Sequence, residues 1–302
     1  MALLSDSDLS EGALYLIVYL EKIQREGDRV RAEIRTCTLW LIAGTDTSPM
    51  NIRHNQLVTL IFVGLLWMAS TAHAAELIVS AASSLTNAFT DIGKQYEKNK
   101  PGTKVIFNFG SSGFLVQQII KGAPVDVFAS ADEETMNRAE SKDQLMPKSR
   151  ANFARNTLVV AVAKGSTIQL KALTDLQQAA VMRIALSQPN AVPVGTYSKQ
   201  ALEAAKLWGV LDKKFIYTQN VRQSLDYLAR REVDAAFVYL TDVAVMPDKV
   251  VTAFDVPLEA EILYPIAAIK KTRNAASALD FIAFVTSDAG RKILARYSFA
   301  KP

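Results

Sequence analysis

Histidine and cysteine are nearly missing from this 302-residue sequence, which has two of the first and one of the second. All three, Cys37, His54 and His73, fall within residues 1 to 74, so everything after them has neither type. That excludes from the later part a cysteine or histidine nucleophile, a Ser-His-Asp triad and a zinc held by imidazole or thiolate, and with them most common enzyme chemistries. Disulfides are excluded there as well. Charge of one sign is not concentrated: 34 Lys and Arg are scattered among 30 Asp and Glu, for a formal charge of +4. No basic stripe marks a nucleic-acid footprint. No stretch repeats at a fixed period, which argues against solenoids and propellers. The apolar run Leu57 to Met68 spans a dozen residues, well short of the ~20 that cross a bilayer.

What is present is ordinary for a globular protein, half apolar and about a fifth charged, enough to bury a core and to form two lobes. The run Leu57 to Met68 has a context of its own. It follows Met50 and a short basic start with Arg53 and His54, and small residues close it at Ala72-His73-Ala74. This order is that of a secretory signal peptide over residues 50–74, with cleavage expected before Ala75. Translation is then expected to start at Met50, and residues 1–49 to be an upstream extension from an over-extended reading frame, with no assigned function. Residues 1 to 74 hold six of the basic and eight of the acidic side chains, so the following 228 residues carry 28 against 22, a formal charge of +6. No cysteine stands at the cleavage point for lipid anchoring, and a soluble periplasmic protein is expected.

From Glu76 onward short apolar runs alternate with amphipathic stretches. The pattern predicts a strand at Leu77 to Val79 and a helix from Leu85 to Lys98, with Leu85, Ala88, Phe89, Ile92 and Tyr96 on one face. A strand at Lys104 to Asn108, a helix at Phe114 to Lys121, a strand at Val125 to Ser130 and a helix near Glu133 to Glu140 follow. A second block has strands at Thr157 to Val162, Arg183 to Leu186 and Ala235 to Tyr239. Its predicted helices are Leu173 to Gln178, Ser198 to Trp208 and Arg222 to Arg231. Ala275 to Tyr297 reads as two helices split at Ser287 that return to the first lobe. The rhythm is that of an α/β fold with parallel strands and helices on both faces, whose ligands bind where the strands end.

Three segments run from a strand through small residues straight into a helix: Ser80 to Thr86, Asn108 to Gly113, and Val192 to Thr196. A helix start leaves unpaired backbone N–H groups and about half a positive charge, which suits an anion. Serine hydroxyls add donors, and glycine lets the backbone approach closely. Ordinary helix capping explains any one of these loops equally well. Read by themselves they point to an anion binder without deciding it.

Six segments, in order and spacing, resemble the periplasmic molybdate-binding proteins of molybdate ABC transporters. They are Ala81 to Ala88, Phe109-Gly110-Ser111-Ser112-Gly113, Gly122 to Asp132, Val192-Pro193-Val194-Gly195, Asn220-Val221-Arg222 and Phe237-Val238-Tyr239. The resemblance covers Glu76 to Pro302, and the ending Phe281 to Phe299 also looks like the close of this class. It implies a two-lobed periplasmic-binding-protein fold of type II, each lobe a mixed, mostly parallel sheet with helices on both faces. Residues 75–156 and 254–302 then form one lobe and 157–253 the other. It further implies that molybdate or tungstate is held between them by Ser84 and Ser112 through hydroxyl and backbone N–H, by the backbone N–H of Val194 and Val221, and by the Tyr239 hydroxyl. Molybdenum would be bound only as the oxyanion, with no resident cofactor, and a monomer would hand it to a membrane permease. Val194 stands where the family often has a smaller residue, which bears on cavity size.

Asp126 and Asp132 are read as structural, since an anion site repels carboxylates. Arg222 is expected to pair with a carboxylate or cover apolar surface rather than touch a ligand, and Tyr239 taken without the resemblance reads as a core aromatic with its hydroxyl on a backbone carbonyl. Within the same class, sulfate or phosphate is the alternative ligand. A ligand-sensing domain of a transcription regulator would need a DNA-binding helix-turn-helix, for which residues 1–49 are short and, with eight acidic against five basic residues, of the wrong charge. An enzyme is not expected.

Overall fold

The computed structural model describes residues 75–302; the expected signal peptide and upstream extension lie outside the described residues. The first half runs β1 (Ala75–Ala82), a 3-10 turn (Ser83–Leu85), α1 (Thr86–Asn99), β2 (Thr103–Gly110), α2 (Ser112–Ile120), β3 (Val127–Ala129), α3 (Glu133–Ser141) and β4 (Ala151–Asn156). The chain then crosses to β5 (Leu158–Ala163), a 3-10 turn (Leu173–Gln177), β6 (Ile184–Ser187), α4 (Pro193–Ala204), α5 (Trp208–Leu211), β7 (Phe215–Thr218), α6 (Val221–Ala229), β8 (Ala235–Tyr239), α7 (Leu240–Val243) and β9 (Val250–Asp255). It returns through β10 (Ile262–Ala268) to α8 (Ala275–Thr286) and α9 (Asp288–Arg296).

Two five-stranded sheets result, ordered β2-β1-β3-β10-β4 and β7-β6-β8-β5-β9. In the first, β10 alone runs antiparallel to its neighbours; in the second, β5 does. The other four strands of each sheet share one direction, so both sheets are mixed and mostly parallel. Helices cover both faces for the reason that side chains alternate along a strand. In β3, Val127 and Ala129 join the cluster that holds Phe89 and Ile92 of α1, whereas Phe128 between them joins Leu115, Val116 and Ile119 of α2. β5, Leu-Val-Val-Ala-Val-Ala, is buried along its whole length, as a strand covered on both faces must be.

Several elements differ from expectation. β4, β7, β9 and β10 were not anticipated. β10 carries Pro265 in a strand interior, a residue that normally argues against one; it sits at a register shift between Tyr264 and Pro265, where the ladder is already interrupted. The helix expected from Ser198 begins five residues earlier, at Pro193, because proline tolerates the first helical position. It ends at Ala204, since Lys206 adopts a left-handed φ of 59°, and Trp208 starts a separate turn. β9 continues to Asp255, so the second change of sheet comes after Asp255, two residues beyond the expected boundary at Ala253. Among the described residues no helix is long and apolar enough to cross a membrane.

The last two helices pack on α1. Tyr96 donates to Asp280 Oδ2 at 2.9 Å and Tyr297 to Asp91 Oδ2 at 2.7 Å. Phe281 is fully buried, with ring centroids 5.2 Å from Tyr96 and 6.3 Å from Phe89. Phe281→Ala is therefore expected to cost about 3–5 kcal/mol, read as a lower urea midpoint at unchanged slope.

Candidate functional site

With four strands of each sheet pointing one way, the segments that follow their ends share an edge. In the first lobe these are Ser83–Leu85 after β1 and the start of α2 after β2; in the second, the starts of α4, α6 and α7 after β6, β7 and β8. Three hydrogen bonds join the lobes there. Gly113 N–H donates to Ala191 O at 3.1 Å, and the Arg222 guanidinium donates through Nη1 to Asn87 Oδ1 at 2.8 Å and through Nη2 to Ser84 O at 3.0 Å. A Cβ at Gly113 would lie 2.4 Å from Ala191 O, and one at Gly195 would lie 2.1 Å from Ser187 O. Both glycines are needed for close backbone approach.

Capping does not explain the serines. The turn at Ser83 and the helix α2 have no side-chain cap, although Ser83, Ser84, Ser111 and Ser112 crowd their starts and all four are buried. Where this chain does cap a helix it shows plainly: Asn220 accepts from Gln223 N at 3.1 Å at the start of α6, and Asp132 from Thr135 N at 3.1 Å at the start of α3. α4 is uncapped too; Thr196 N reaches Val192 O at 3.1 Å, and the helix's own ladder holds no partner for the earlier N–H groups of Val194 and Gly195. Val221 is the first residue of α6, and its N–H likewise has no partner in the helix's own ladder. Val194 and Val221 are buried, at 0% and 3% exposure.

The hydroxyls have defined surroundings. Ser112 Oγ accepts from Ala131 N at 3.0 Å, which leaves its proton to donate elsewhere. Ser84 Oγ lies 3.0 Å from Tyr264 Oη, and Asn156 Nδ2 donates to Tyr264 Oη at 3.0 Å and to Thr241 Oγ1 at 2.9 Å. Tyr239, 1% exposed, packs its ring 6.0 Å from that of Tyr264, and its hydroxyl has no hydrogen-bond partner among the described residues. Burial, then the nearby Tyr264, Tyr197, Asp132 and Asp242, push the Tyr239 hydroxyl well above its ordinary pKa. It stays protonated and can act as a donor.

Arg222 brings a cation to this region and is held by acceptors of both lobes. Its Nε stands 2.9 Å from Asp242 Oδ1, an ion contact without the direction of a good hydrogen bond. Asp242 has no exposed surface; burial raises its carboxyl, with Arg222 and the Tyr239 N–H opposing. Asp126 is structural: it accepts from Ile78 N at 2.7 Å, from Asn274 Nδ2 at 3.2 Å and from the Thr272 hydroxyl. Among the described residues no three of His, Cys, Asp and Glu gather as metal ligands. A surface concavity of about 890 Å³ between α1 and α9, lined by Asp91, Lys94 and Arg296 among others, contains none of these site residues.

Sequence reasoning did not single out Tyr264, Asn156, Thr241 or Asp242. Tyr264 lies in the unanticipated β10, and Asn156 ends the unanticipated β4. Asn87 stood inside a quoted motif, though without a role.

Residues 77–300 match the family described as bacterial extracellular solute-binding protein. The chain belongs to that family. This solute-binding protein is 35% identical over 235 residues to the molybdate-binding protein ModA of Escherichia coli (strain K12), covering 76% of this chain and 90% of that one. To ModA of Mycobacterium tuberculosis (strain H37Rv) it is 35% identical over 234 residues, covering 77% and 87%. The periplasmic molybdate-binding protein of Azotobacter vinelandii is similar in fold, with a TM-score of 0.69 at 24% identity over 75% of this chain and 99% of that one.

Two stability predictions follow from the buried carboxylates. Arg222→Ala strands Asp242 without a cation and should cost about 3–5 kcal/mol in urea unfolding, more than Arg222→Met combined with Asp242→Leu. Asp132 is raised chiefly by burial, against bonds from Thr135 and Ser130. Its native carboxyl thus keeps a proton that the unfolded chain has released, and stability falls as pH rises from the ordinary carboxylate range through the raised value. Asp132→Asn, which retains an oxygen for Thr135 N–H, should resist urea better than the parent at pH 7 and lose that advantage near pH 3.

Proposed function

We propose that this protein captures molybdate, or tungstate, between its two lobes in the periplasm and delivers it to the membrane permease of an ABC importer. The observation that carries the reading is the Tyr239 hydroxyl, buried, protonated and without a partner. An unpaired buried donor costs about 1–3 kcal/mol, and an oxyanion lying against it removes that cost. The hydroxyls and N–H groups of Ser84 and Ser112 and the N–H groups of Val194 and Val221 complete a set of neutral donors from both lobes. Fixed dipoles suit a dianion because they stabilise it without a buried counter-charge that must itself be desolvated. Arg222 supplies no such counter-charge, being held by Asp242, Asn87 and Ser84 O. The names of the relatives, molybdate-binding proteins from several bacteria, support the choice of ligand.

In this role the protein is a carrier and not an enzyme, works as a monomer and needs no resident cofactor; molybdenum enters and leaves as the oxyanion. Closure around the anion is the state that the permease reads. Thermal unfolding of the purified protein with molybdate, tungstate, sulfate and phosphate tests the reading. Stabilisation by the first two alone is expected, on the order of 2.7 kcal/mol at a hundredfold excess over Kd. Stabilisation by sulfate or phosphate instead would move the ligand and keep the site, and no response to any of the four would overturn the proposal. Ser112→Ala and Tyr239→Phe should each weaken molybdate binding by about 1–3 kcal/mol in titration calorimetry, because the acceptor is charged.

A further inference from the structure

The hydrogen bonds behind Ser84 have a direction, and it can be worked out from the far end. Thr157 N–H donates to Asn156 Oδ1 at 2.9 Å, so the amide oxygen of Asn156 faces that N–H and its NH₂ faces the other way. The two NH₂ protons go to Thr241 Oγ1 at 2.9 Å and to Tyr264 Oη at 3.0 Å. Tyr264 has no exposed surface, and its hydroxyl, already accepting from Asn156, has Ser84 Oγ as its other neighbour at 3.0 Å. Ser84 Oγ is thus the acceptor available to the Tyr264 proton, and a reversed bond would leave that proton buried and unpaired. With Ser84 Oγ accepting, the serine's own proton is turned away from Tyr264.

We infer that Asn156 and Tyr264 are positioning residues that fix Ser84 as a donor toward the cleft, through a one-way relay of hydrogen bonds starting at the crossing between the lobes. The inference rests on the proposed role of Ser84 in oxyanion capture. Asn156 is the last residue of β4, beside the crossing into β5, while Thr241 belongs to the second lobe and Ser84 and Tyr264 to the first. The donor direction at Ser84 is therefore tied to the contact between lobes. A serine free to rotate would present a lone pair to an anion as readily as a proton; one locked as a donor discriminates in favour of a fully deprotonated oxyanion.

Asn156→Asp keeps the shape and the acceptor for Thr157 N–H but turns the group facing Tyr264 from a donor into an acceptor. Tyr264 then donates to the new carboxylate and accepts from Ser84, whose proton leaves the cleft. Molybdate affinity is measured at pH 8 for the parent, Asn156→Asp, Tyr264→Phe and the double variant, with thermal unfolding to report folding. The added negative charge weakens binding in both backgrounds, whereas relay reversal needs the Tyr264 hydroxyl. The expected result is a loss at least about tenfold larger with Tyr264 intact than in the Tyr264→Phe background. Equal losses in the two backgrounds overturn the relay. Should Asn156→Asp fail to fold, Tyr264→Phe combined with Ser84→Ala carries the test: the relay requires the loss from Tyr264→Phe to vanish once the serine hydroxyl is gone, and a persistent loss overturns it. A parent protein that binds none of the oxyanions overturns the proposed function instead, so the two failures are separable.

Discussion

Asp242 has no exposed surface, and a carboxylate so placed must be neutralised where it lies. Arg222 does this from the first turn of α6, at 2.9 Å. The same guanidinium reaches across to the first lobe, to Asn87 and to the carbonyl of Ser84. One cation thus holds the start of α7 to the start of α6, and both to the turn that carries Ser84. Its two hydrogen bonds go to protein acceptors and its charge is paired with Asp242, while the other groups named at the facing helix starts are neutral hydroxyls and N–H groups.

The arrangement of those neutral donors follows from strand direction. A strand that points toward the cleft ends there, and the helix after it begins there with unpaired N–H groups directed at the same space. The single reversed strand in each sheet, β10 and β5, makes the crossing between lobes. Asn156 sits at that crossing and Tyr264 within the reversed strand β10, so the residues behind Ser84 belong to the connection between lobes rather than to the helix starts. The serines, in turn, are free of capping duty, since α2 and the Ser83 turn have no side-chain cap.

The two kinds of site residue were unequally legible in the sequence. Ser84, Ser112, Val194 and Val221 stand in short loops between a β-rich run and an amphipathic one, a local pattern that periodicity exposes. Tyr239 follows an apolar run and was placed at a strand end without its neighbours. Tyr264, Asn156, Thr241 and Asp242 act through partners as far as 180 residues away, and no local pattern encodes such a pairing. β10 was hidden by Pro265, tolerated only because the register shifts beside it, and with β10 went Tyr264. The start of α4 was hidden in the same way: proline and glycine read as a loop, yet Pro193 heads the helix and Gly195 lets it sit against Ser187 O.

The same bonds set the balance of the closed state. Holding the lobes together are the Gly113 to Ala191 bond, the bonds from Arg222 to Ser84 and Asn87, and Asn156 to Thr241. Neutral bonds of this kind contribute about 0.5–1.5 kcal/mol each and those from a charged group about 1.5–3. Against them stand the unpaired Tyr239 hydroxyl, at about 1–3 kcal/mol, and the loss of independent motion of two lobes. The unpaired hydroxyl therefore offsets part of what these bonds contribute to closure without a ligand. On the proposed role, an anion that accepted from Tyr239 and from both lobes at once would favour the closed arrangement, and its differential affinity would shift the population. Had Arg222 faced the anion directly, part of that affinity would have been present in the open state as simple attraction. Because it faces protein acceptors, the stabilisation from a bound anion would be concentrated in the closed one.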